Sequence, residues 1–420
     1  MTIRLKAAEL SELHYWLSVR QSRHSLPQPF YTSELIHRAD NELVWGRCWL
    51  FAALSCELNT PGDFRTFSLG DDELILVRGD DGVVRGFHNS CRHRGSRICT
   101  TTAGHTKKFL CPYHHWSYDR SGGLVGGPRM PENFDKSQYG LVPVATEEVG
   151  GFVFIHLGGK PRNFVEAAKA IAAQLELHDL RQAKIANSME YRVNANWKIV
   201  FENNRECYHC RAHHPEYIRA TLDVDRDEGR NVEVVAWENE KHRERWEELG
   251  LDTSAVNASS DMTGGWFRAN RAPLRSGYVT ESLNGKPVSR LMGRLPNFDV
   301  GTARITTFPN FWCHANSDHA VATQLLPVGP QETLIRVIWL VHPDAEEGVD
   351  YHLAQLLPFW KRTSEQDWKI CEAQQQGIRS SGYRPGPYLP GVEDNVDRFV
   401  DWYLRELQGQ LDGNDDRSKD

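Results

Sequence analysis

Two short pairs of metal-ligand residues constrain this chain more than any other feature. Cys91-Arg92-His93 is followed, after seventeen residues, by Cys111-Pro112-Tyr113-His114, a C-x-H…C-x-x-H pattern. Whatever the rest folds into, the loops carrying these pairs have to meet around one metal group. Two thiolates on one iron and two neutral imidazoles on the other make a mixed-ligand [2Fe–2S] cluster, whose potential lies above that of an all-cysteine cluster. A tetrahedral zinc ion would accept the same four ligands, although zinc pairs usually read C-x₂₋₄-C. The C-x-x-H spacing selects His114 over its neighbour His115. Cys99, between the pairs, reads as a small packing residue.

A second run, FENNRECYHCRAHHPEY from Phe201 to Tyr217, crowds Glu202, Glu206, His209, His213 and His214 together. Such a run buries poorly and calls for a chemical role. At about 100° per residue, His209 and His214 do not share one face of an ideal helix. Pro215 disfavours helical geometry at His214, so a helix is expected to end there. His209 would project from its last turns and His214 from its terminus, toward one ion. A carboxylate from elsewhere would complete a two-His-one-carboxylate face, which leaves positions on a non-haem iron open for dioxygen.

At 420 residues the chain can bury a large core in two domains. Its net charge of −7 argues against a nucleic-acid binder. No apolar run approaches a membrane span, and the opening MTIRLKAAELSEL lacks a signal-peptide core, which points to the cytoplasm. The nine cysteines are too dispersed for a secreted disulfide scaffold, so metal ligation is the expected use of the clustered ones.

Residues 1–48 read as an extended arm ending in SRHSLPQPFYT, then a helix from Ser33 to Trp45. Residues 49–160 read as a small antiparallel β domain, with strands in DFRTFSLG, ELILVRG, VVRGFHN and GFVFIHLG and a hairpin at Asp80-Asp81-Gly82. Residues 161–410 read as a larger α+β domain. It opens with an amphipathic helix over Pro161 to Leu180, then a strand in MEYRVNANW that feeds the histidine helix. A charged, partly helical excursion over 225–265 comes next, then three strands in ARITTFPNFW, HAVATQLLPVG and ETLIRVIWLVH. Asp350 to Gly377 is a helical stretch that Pro358 kinks or divides. An ordered PGPYLPG loop and a last helix, Val392 to Leu407, complete it, and 411–420 reads as a flexible tail.

The segment CRHRGSRIC…CPYHHWSYD resembles a Rieske cluster-binding segment. NWKIVFENNRECYHCRAHH resembles the mononuclear-iron segment of Rieske non-haem iron oxygenases. The similarity runs from SLPQPFYTS to FVDWY. It is greatest to the quaternary-ammonium branch, the glycine betaine and proline betaine (stachydrine) demethylating monooxygenases, through ENNRECYHC, HNSCRHRGSRIC, VHPDAEEGVDYH and PGPY. The resemblance implies a small antiparallel β Rieske domain and a larger α+β catalytic domain, in which a curved antiparallel sheet and helices hold iron. It implies one [2Fe–2S] cluster on Cys91, His93, Cys111 and His114, and one Fe(II) on His209, His214 and Asp367. Glu365 and Glu372 compete with Asp367, and His213 stays outside the set. Glu206 would join the two centres by bonding His209 and His114, across the interface of a head-to-tail homotrimer.

The implied reaction consumes O2, two electrons and two protons, hydroxylates an N-methyl carbon and releases formaldehyde. No G-x-G-x-x-G opening a helix appears, so NAD(P)H would act only through a separate flavin and iron–sulfur reductase. A quaternary ammonium donates no hydrogen bond, and aromatic faces are its natural holders. Trp266, Phe267, Phe311 and Trp312 lie where the family's pocket forms. His319 and the arginines Arg268, Arg271 and Arg275 are candidates for a substrate carboxylate. Cys313 stands where the betaine demethylases carry Asn. Two other readings use the same motifs: an oxygenase acting on an aromatic ring or another small carboxylate, and a non-enzymatic Rieske electron carrier.

Overall fold

The computed structural model describes residues 5–227, 229, 232–253 and 265–415. Its N-terminus corrects the extended arm. AAELSELHYWLS forms α1 (Ala7–Ser18), which buries Leu13, and the two prolines shape only the segment after this helix. After α2 (Pro29–Thr32), Ser33 caps α3 (Glu34–Ala39) by accepting the Ile36 N–H. Winding then continues with π geometry over Asp40–Val44 and a 3-10 turn over Trp45–Arg47, so the helix expected to reach Trp45 does, with its last turns altered. Asp40 is buried there. It accepts hydrogen bonds from the Lys198 ammonium, from Trp197 Nε1 at 3.0 Å and from Tyr403 OH at 2.6 Å.

The next region holds β1 (Leu50–Leu54), β2 (Asp63–Leu69), β3 (Asp72–Arg78), β4 (Val84–His88) and β5 (Ala103–His105). Short strands β6 (Phe109–Leu110), β7 (Ser117–Tyr118) and β8 (Leu124–Gly126) come next, then β9 (Pro143–Val149) and β10 (Phe152–His156). Seven strands form an antiparallel sheet in the order β1-β10-β9-β4-β3-β2-β5, and β6-β7-β8 form a separate ribbon. A compact cluster that includes Phe64, Ile75, Phe87, Trp116, Tyr118 and Leu141 supports the two metal loops.

α4 (Val165–Leu175) leads to β11 (Lys184–Val193) and α5 (Trp197–Asn204). The single histidine helix is corrected: α5 stops at Asn204, and a separate turn, α6 (Cys210–His213), lies between the two imidazoles. Cys207 and Cys210 are joined by a disulfide, which corrects metal ligation for that pair. α7 (Tyr217–Ala220), α8 (Asp223–Asp227) and α9 (Val232–Glu248) make the expected excursion helical, and 254–264 lies outside the described residues.

The large sheet has six antiparallel strands, where four were expected in this domain, in the order β11-β16-β15-β14-β13-β12. The run ARITTFPNFW splits into β13 (Thr302–Thr307) and the start of β14 (Phe311–Ala315), because the chain reverses at Phe308-Pro309-Asn310. β12 (Phe267–Ala272) was not expected, while β15 (Ala320–Gly329) and β16 (Glu332–Val341) were. Pro358 divides the following helical stretch into α10 (Leu353–Leu356) and α11 (Pro358–Ile378). The last helix, α12 (Asp394–Asp415), extends through the expected tail, of which 416–420 lies outside the described residues. No helix among the described residues is long and apolar enough to cross a membrane.

Candidate active site

The two metal loops are built alike. In the first, Cys91 O accepts the Gly95 N–H (2.8 Å) and Cys91 N–H donates to Ser96 O (2.9 Å). In the second, Cys111 O accepts the His115 N–H (3.1 Å) and Cys111 N–H donates to Trp116 O (2.8 Å). Gly95 and His115 occupy the same left-handed position, with φ of 76° and 59°. His115 thus belongs to the turn and is exposed. Cys91 and Cys111 are buried, and the His93 and His114 rings come within 4.6 Å of each other nearer the surface. Tyr118 OH accepts the Arg92 N–H (3.0 Å) and lies 3.2 Å from Cys91 Sγ, where its proton can stabilise a sulfur anion. Burial pushes the Cys111 thiol up, but N–H groups of Tyr113 and His114 aimed at its sulfur outweigh that and hold it below the ordinary range. A buried sulfur end and an exposed imidazole end fit a mixed-ligand cluster. Cys99 packs in the core, as expected.

The second centre depends on the break after α5. His209 precedes α6 and His214 closes it at φ −122°, ψ 67°, just before Pro215. Their ring centroids are 5.1 Å apart. From α11, Asp367 Oδ1 stands 2.9 Å from His214 Nε2 and 3.2 Å from His209 Nε2. The outer ring nitrogens are also held: His209 Nδ1 by Glu206 Oε1 at 2.5 Å, and His214 Nδ1 by Gln366 Oε1 at 2.7 Å. Outer carboxylate or amide oxygens of this kind fix the ring orientation of a metal-bound histidine.

Burial disfavours a charged His209, yet Asp367 and Glu206 push it up to about 10. The cluster therefore carries excess negative charge that a divalent cation would neutralise. Two imidazole nitrogens and one carboxylate oxygen facing a common point fit a facial iron site. The competitors point elsewhere: Glu365 pairs with Lys361 (3.0 Å), Glu372 accepts from Asn194 (2.9 and 3.0 Å), and His213 is exposed. Within one chain Glu206 bonds His209 and makes no hydrogen bond to His114.

Beside this centre lies a cavity of about 120 Å³. Cavities near this size take a ligand such as benzene. Its floor is a grid of sheet residues. Arg268 on β12 pairs with Thr306 on β13, which pairs with Trp312 on β14. Two residues along, Asn270 pairs with Arg304, which pairs with His314. Directly opposed residues and residues two apart share a sheet face, and all six line the cavity together with Tyr217, Asp223 and Trp360.

The alternate row, Phe267–Thr307–Phe311, faces the other way. Phe311 packs there on Phe51 (4.5 Å) and Phe152 (4.8 Å) of the β domain. Trp266 packs on Phe164 (6.0 Å). Of the four aromatics expected at the substrate, only Trp312 lines the cavity, and Trp266, Phe267 and Phe311 are corrected to core residues. His319 is also core, bonded to Asp318 (2.8 Å), and Arg271 and Arg275 hold backbone carbonyls, leaving Arg268 as the arginine of that group at the cavity. Tyr217, Trp360, Arg304 and His314 were not anticipated; the i, i+2 spacing of Trp312 and His314 was the available signal for the last.

Comparison with known proteins agrees with this architecture. A Rieske [2Fe-2S] domain model matches residues 48–146, and a model of the ring hydroxylating alpha subunit (catalytic domain) matches residues 180–409. The glycine betaine monooxygenase oxygenase subunit of Chromohalobacter salexigens is 40% identical over 399 residues, covering 94% of this chain and 88% of that protein. Its counterpart in Pseudomonas aeruginosa strain UCBPP-PA14 is 38% identical, covering 94% and 92%. A crystal structure of the quaternary ammonium Rieske monooxygenase CntA superposes with a TM-score of 0.69 at 20% identity, over 93% of this chain and 97% of that one. Naphthalene 1,2-dioxygenase from Rhodococcus sp. superposes at 0.63 with 18% identity, over 96% and 98%. With both domain models matched in order and close relatives aligned almost end to end, the chain belongs to the Rieske-type ring-hydroxylating oxygenase alpha subunits.

Proposed function

We propose that this chain is the oxygenase component of a monooxygenase that N-demethylates a small quaternary ammonium carboxylate of the glycine betaine or proline betaine kind. The observation that carries the reading is the cavity: small, walled by Trp312, Trp360 and Tyr217, and set directly against His209, His214 and Asp367. Aromatic faces attract a cation that cannot donate hydrogen bonds. The polar floor of Arg268, Arg304, Asp223 and His314 disfavours a purely hydrocarbon ring. The similarity to glycine betaine monooxygenase subunits supports the same substrate class.

In this reading Cys91, Cys111, His93 and His114 hold a [2Fe–2S] cluster, and His209, His214 and Asp367 hold Fe(II). When bound, the iron supplies reductive activation of O2. Glu206 and Gln366 keep both Nε2 atoms turned inward. The cavity walls hold one N-methyl group toward the metal face and keep bulk water out. One oxygen atom enters an N-methyl C–H bond and the other leaves as water, using two electrons and two protons. The hydroxymethyl ammonium then collapses to formaldehyde, the tertiary amine and one proton.

Electrons come from a separate flavin and iron–sulfur reductase that oxidises NAD(P)H. Within its chain Glu206 accepts from His209 and from the Tyr208 N–H and does not bond His114, so the partner cluster is assigned to a neighbouring subunit of a homotrimer. The unit is assigned to the cytoplasm, with domains at 49–160 and 161–410 and residues 1–48 packed on the latter. The test is anaerobic reconstitution with iron and sulfide, followed by O2, a reductase and glycine betaine, stachydrine or an aromatic acid. Formaldehyde matched to oxygen uptake with the betaines is the expected result. Hydroxylated aromatic product without formaldehyde refutes the reading.

A further inference from the structure

A betaine has two charged poles, and the cavity carries a distinct device for each. Glu281 is fully buried. Its carboxylate accepts from His314 Nδ1 (3.0 and 3.2 Å), Asn316 Nδ2 (3.2 Å) and Trp360 Nε1 (3.2 Å), and Arg304 Nη2 lies 3.7 Å away. Arg304 in turn gives Nη1 to both oxygens of Asp223 (2.7 and 2.9 Å), which also accepts from Tyr217 OH at 2.7 Å. The Arg304 guanidinium thus lies between two buried carboxylates. A buried carboxylate is tolerated only when its oxygens are hydrogen-bonded, and His314 supplies one of the donors that hold Glu281.

With Nδ1 turned to Glu281, Nε2 is the remaining nitrogen of a ring that lines the cavity. The same carboxylate fixes Trp360, whose ring meets His314 at 4.5 Å and Tyr217 at 5.9 Å. One buried acid therefore orients an imidazole and an aromatic face side by side. We propose that His314, positioned by Glu281, anchors the substrate's carboxylate, while Trp360, Tyr217 and Trp312 face its quaternary ammonium. This rests on the N-demethylation reading above and adds a selection rule: the enzyme takes zwitterions in preference to simple cations.

The holoenzyme tests it with three probes: glycine betaine, choline and 3,3-dimethylbutanoate, which keeps the carboxylate and replaces the charged nitrogen by carbon. A hydrogen bond to a charged group is worth about 1.5–3 kcal/mol, or roughly 10- to 150-fold in affinity. Wild type should bind betaine at least about 10-fold more tightly than choline. His314→Gln should raise the KM for betaine by a similar factor, change kcat far less, weaken 3,3-dimethylbutanoate in parallel and leave choline affinity unchanged. Glu281→Gln should weaken both betaine and choline, because it releases Trp360 as well. Iron content and the cluster spectrum report whether each variant is folded, and the wild-type ranking decides the matter if one is not. Equal affinity of wild type for betaine and choline, or a His314→Gln variant with betaine KM unchanged, overturns the assignment. Formaldehyde released equally from betaine and choline sinks this inference while leaving N-demethylation standing. No formaldehyde from any trimethylammonium compound sinks N-demethylation itself.

Discussion

Asp40 offers the sharpest test of how the N-terminal region supports the iron-bearing segment. Its carboxylate sits between α3, α5 and α12 and receives three donors: the Lys198 ammonium, Trp197 Nε1 and Tyr403 OH. Lys198 is fully buried, with its ammonium 4.9 Å from the Trp197 ring centre and 4.8 Å from that of Tyr403. Burial already pulls the Lys198 ammonium below its ordinary range, and Asp40, more than Glu202, opposes this. Asp40→Asn keeps the shape but leaves a buried ammonium without an anion and turns an amide N–H toward a ring of donors. Breaking a buried pair on one side costs about 3–5 kcal/mol. At roughly 2.1 cal/mol/K of unfolding entropy per residue, that lowers the melting temperature by about 3–6 °C if the whole chain unfolds as a unit and by about 6–10 °C if residues 161–410 unfold alone. Thermal melts of Asp40→Asn, Lys198→Met and the double variant measure it. Each single variant should fall by this amount, and the double should lose clearly less than their sum, because it leaves no uncompensated charge. A drop below about 2 °C for Asp40→Asn, or additive losses in the double variant, would refute the account of a charge-paired anchor.

Three further outcomes are expected. His209→Ala should lower iron from about three to two atoms per chain while the cluster's spin-resonance signal persists; retention of the third iron with full turnover contradicts the ligand set. Phe311→Ala and Trp312→Ala should separate, since neighbouring strand residues face opposite ways. The first should cost about 3–5 kcal/mol of stability with betaine KM little changed, and the second should raise KM by roughly 2- to 30-fold, the range of a cation–π contact; the reverse pattern in melts and kinetics would invert the assigned sheet face. Glu202, which accepts from Tyr31 OH at 2.9 Å, is pushed up to about 8 by burial. A carboxyl raised in the folded state holds its proton there, so its favourable contribution is complete below about pH 4.5 and is lost as pH rises toward 8. Glu202→Gln should therefore match wild type near pH 4.5 and exceed it by about 3–5 kcal/mol above pH 8 in denaturant titrations; a constant gap across that range removes Glu202 as the cause.

The cluster loops were legible in the sequence because their chemistry is local: each Cys and His lies within three residues of its pair, and a turn is enough to bring them together. The iron segment was legible only in part. The i, i+5 spacing and Pro215 both signal that one straight helix fails, yet the break falls ahead of His209, where the chain leaves α5 at Arg205. Nothing in the propensities of ENNRECYHC favours that point over the next turn. Asp367 shows a different limit. Glu365, Asp367 and Glu372 have the same ligand chemistry; at about 100° per residue Glu365 and Glu372 share one side of α11, and Asp367 projects from another. Only the packing of α11 against α5 decides which one reaches the histidines, and that packing is a long-range fact. The resemblance to known oxygenases selected Asp367; the residue types alone did not.

The substrate wall illustrates the same division within five residues. Phe311, Trp312, Cys313 and His314 alternate across β14, so a period of two separates them into two pairs. The sequence contains that split but not which pair meets the substrate. The choice is made by β1 and β10, whose Phe51, Phe152 and Phe154 close on Phe311, and by α11, whose Trp360 closes on His314. The β domain and the catalytic helices cover opposite sides of one sheet, and the aromatic content of a strand cannot say which cover it receives. His314 and Glu281 escape a reading of motifs for this reason. They are 33 residues apart in the chain, and neither belongs to a recognisable ligand spacing. Their significance rests on a buried acid that holds the imidazole by one nitrogen, and on that ring lining a cavity.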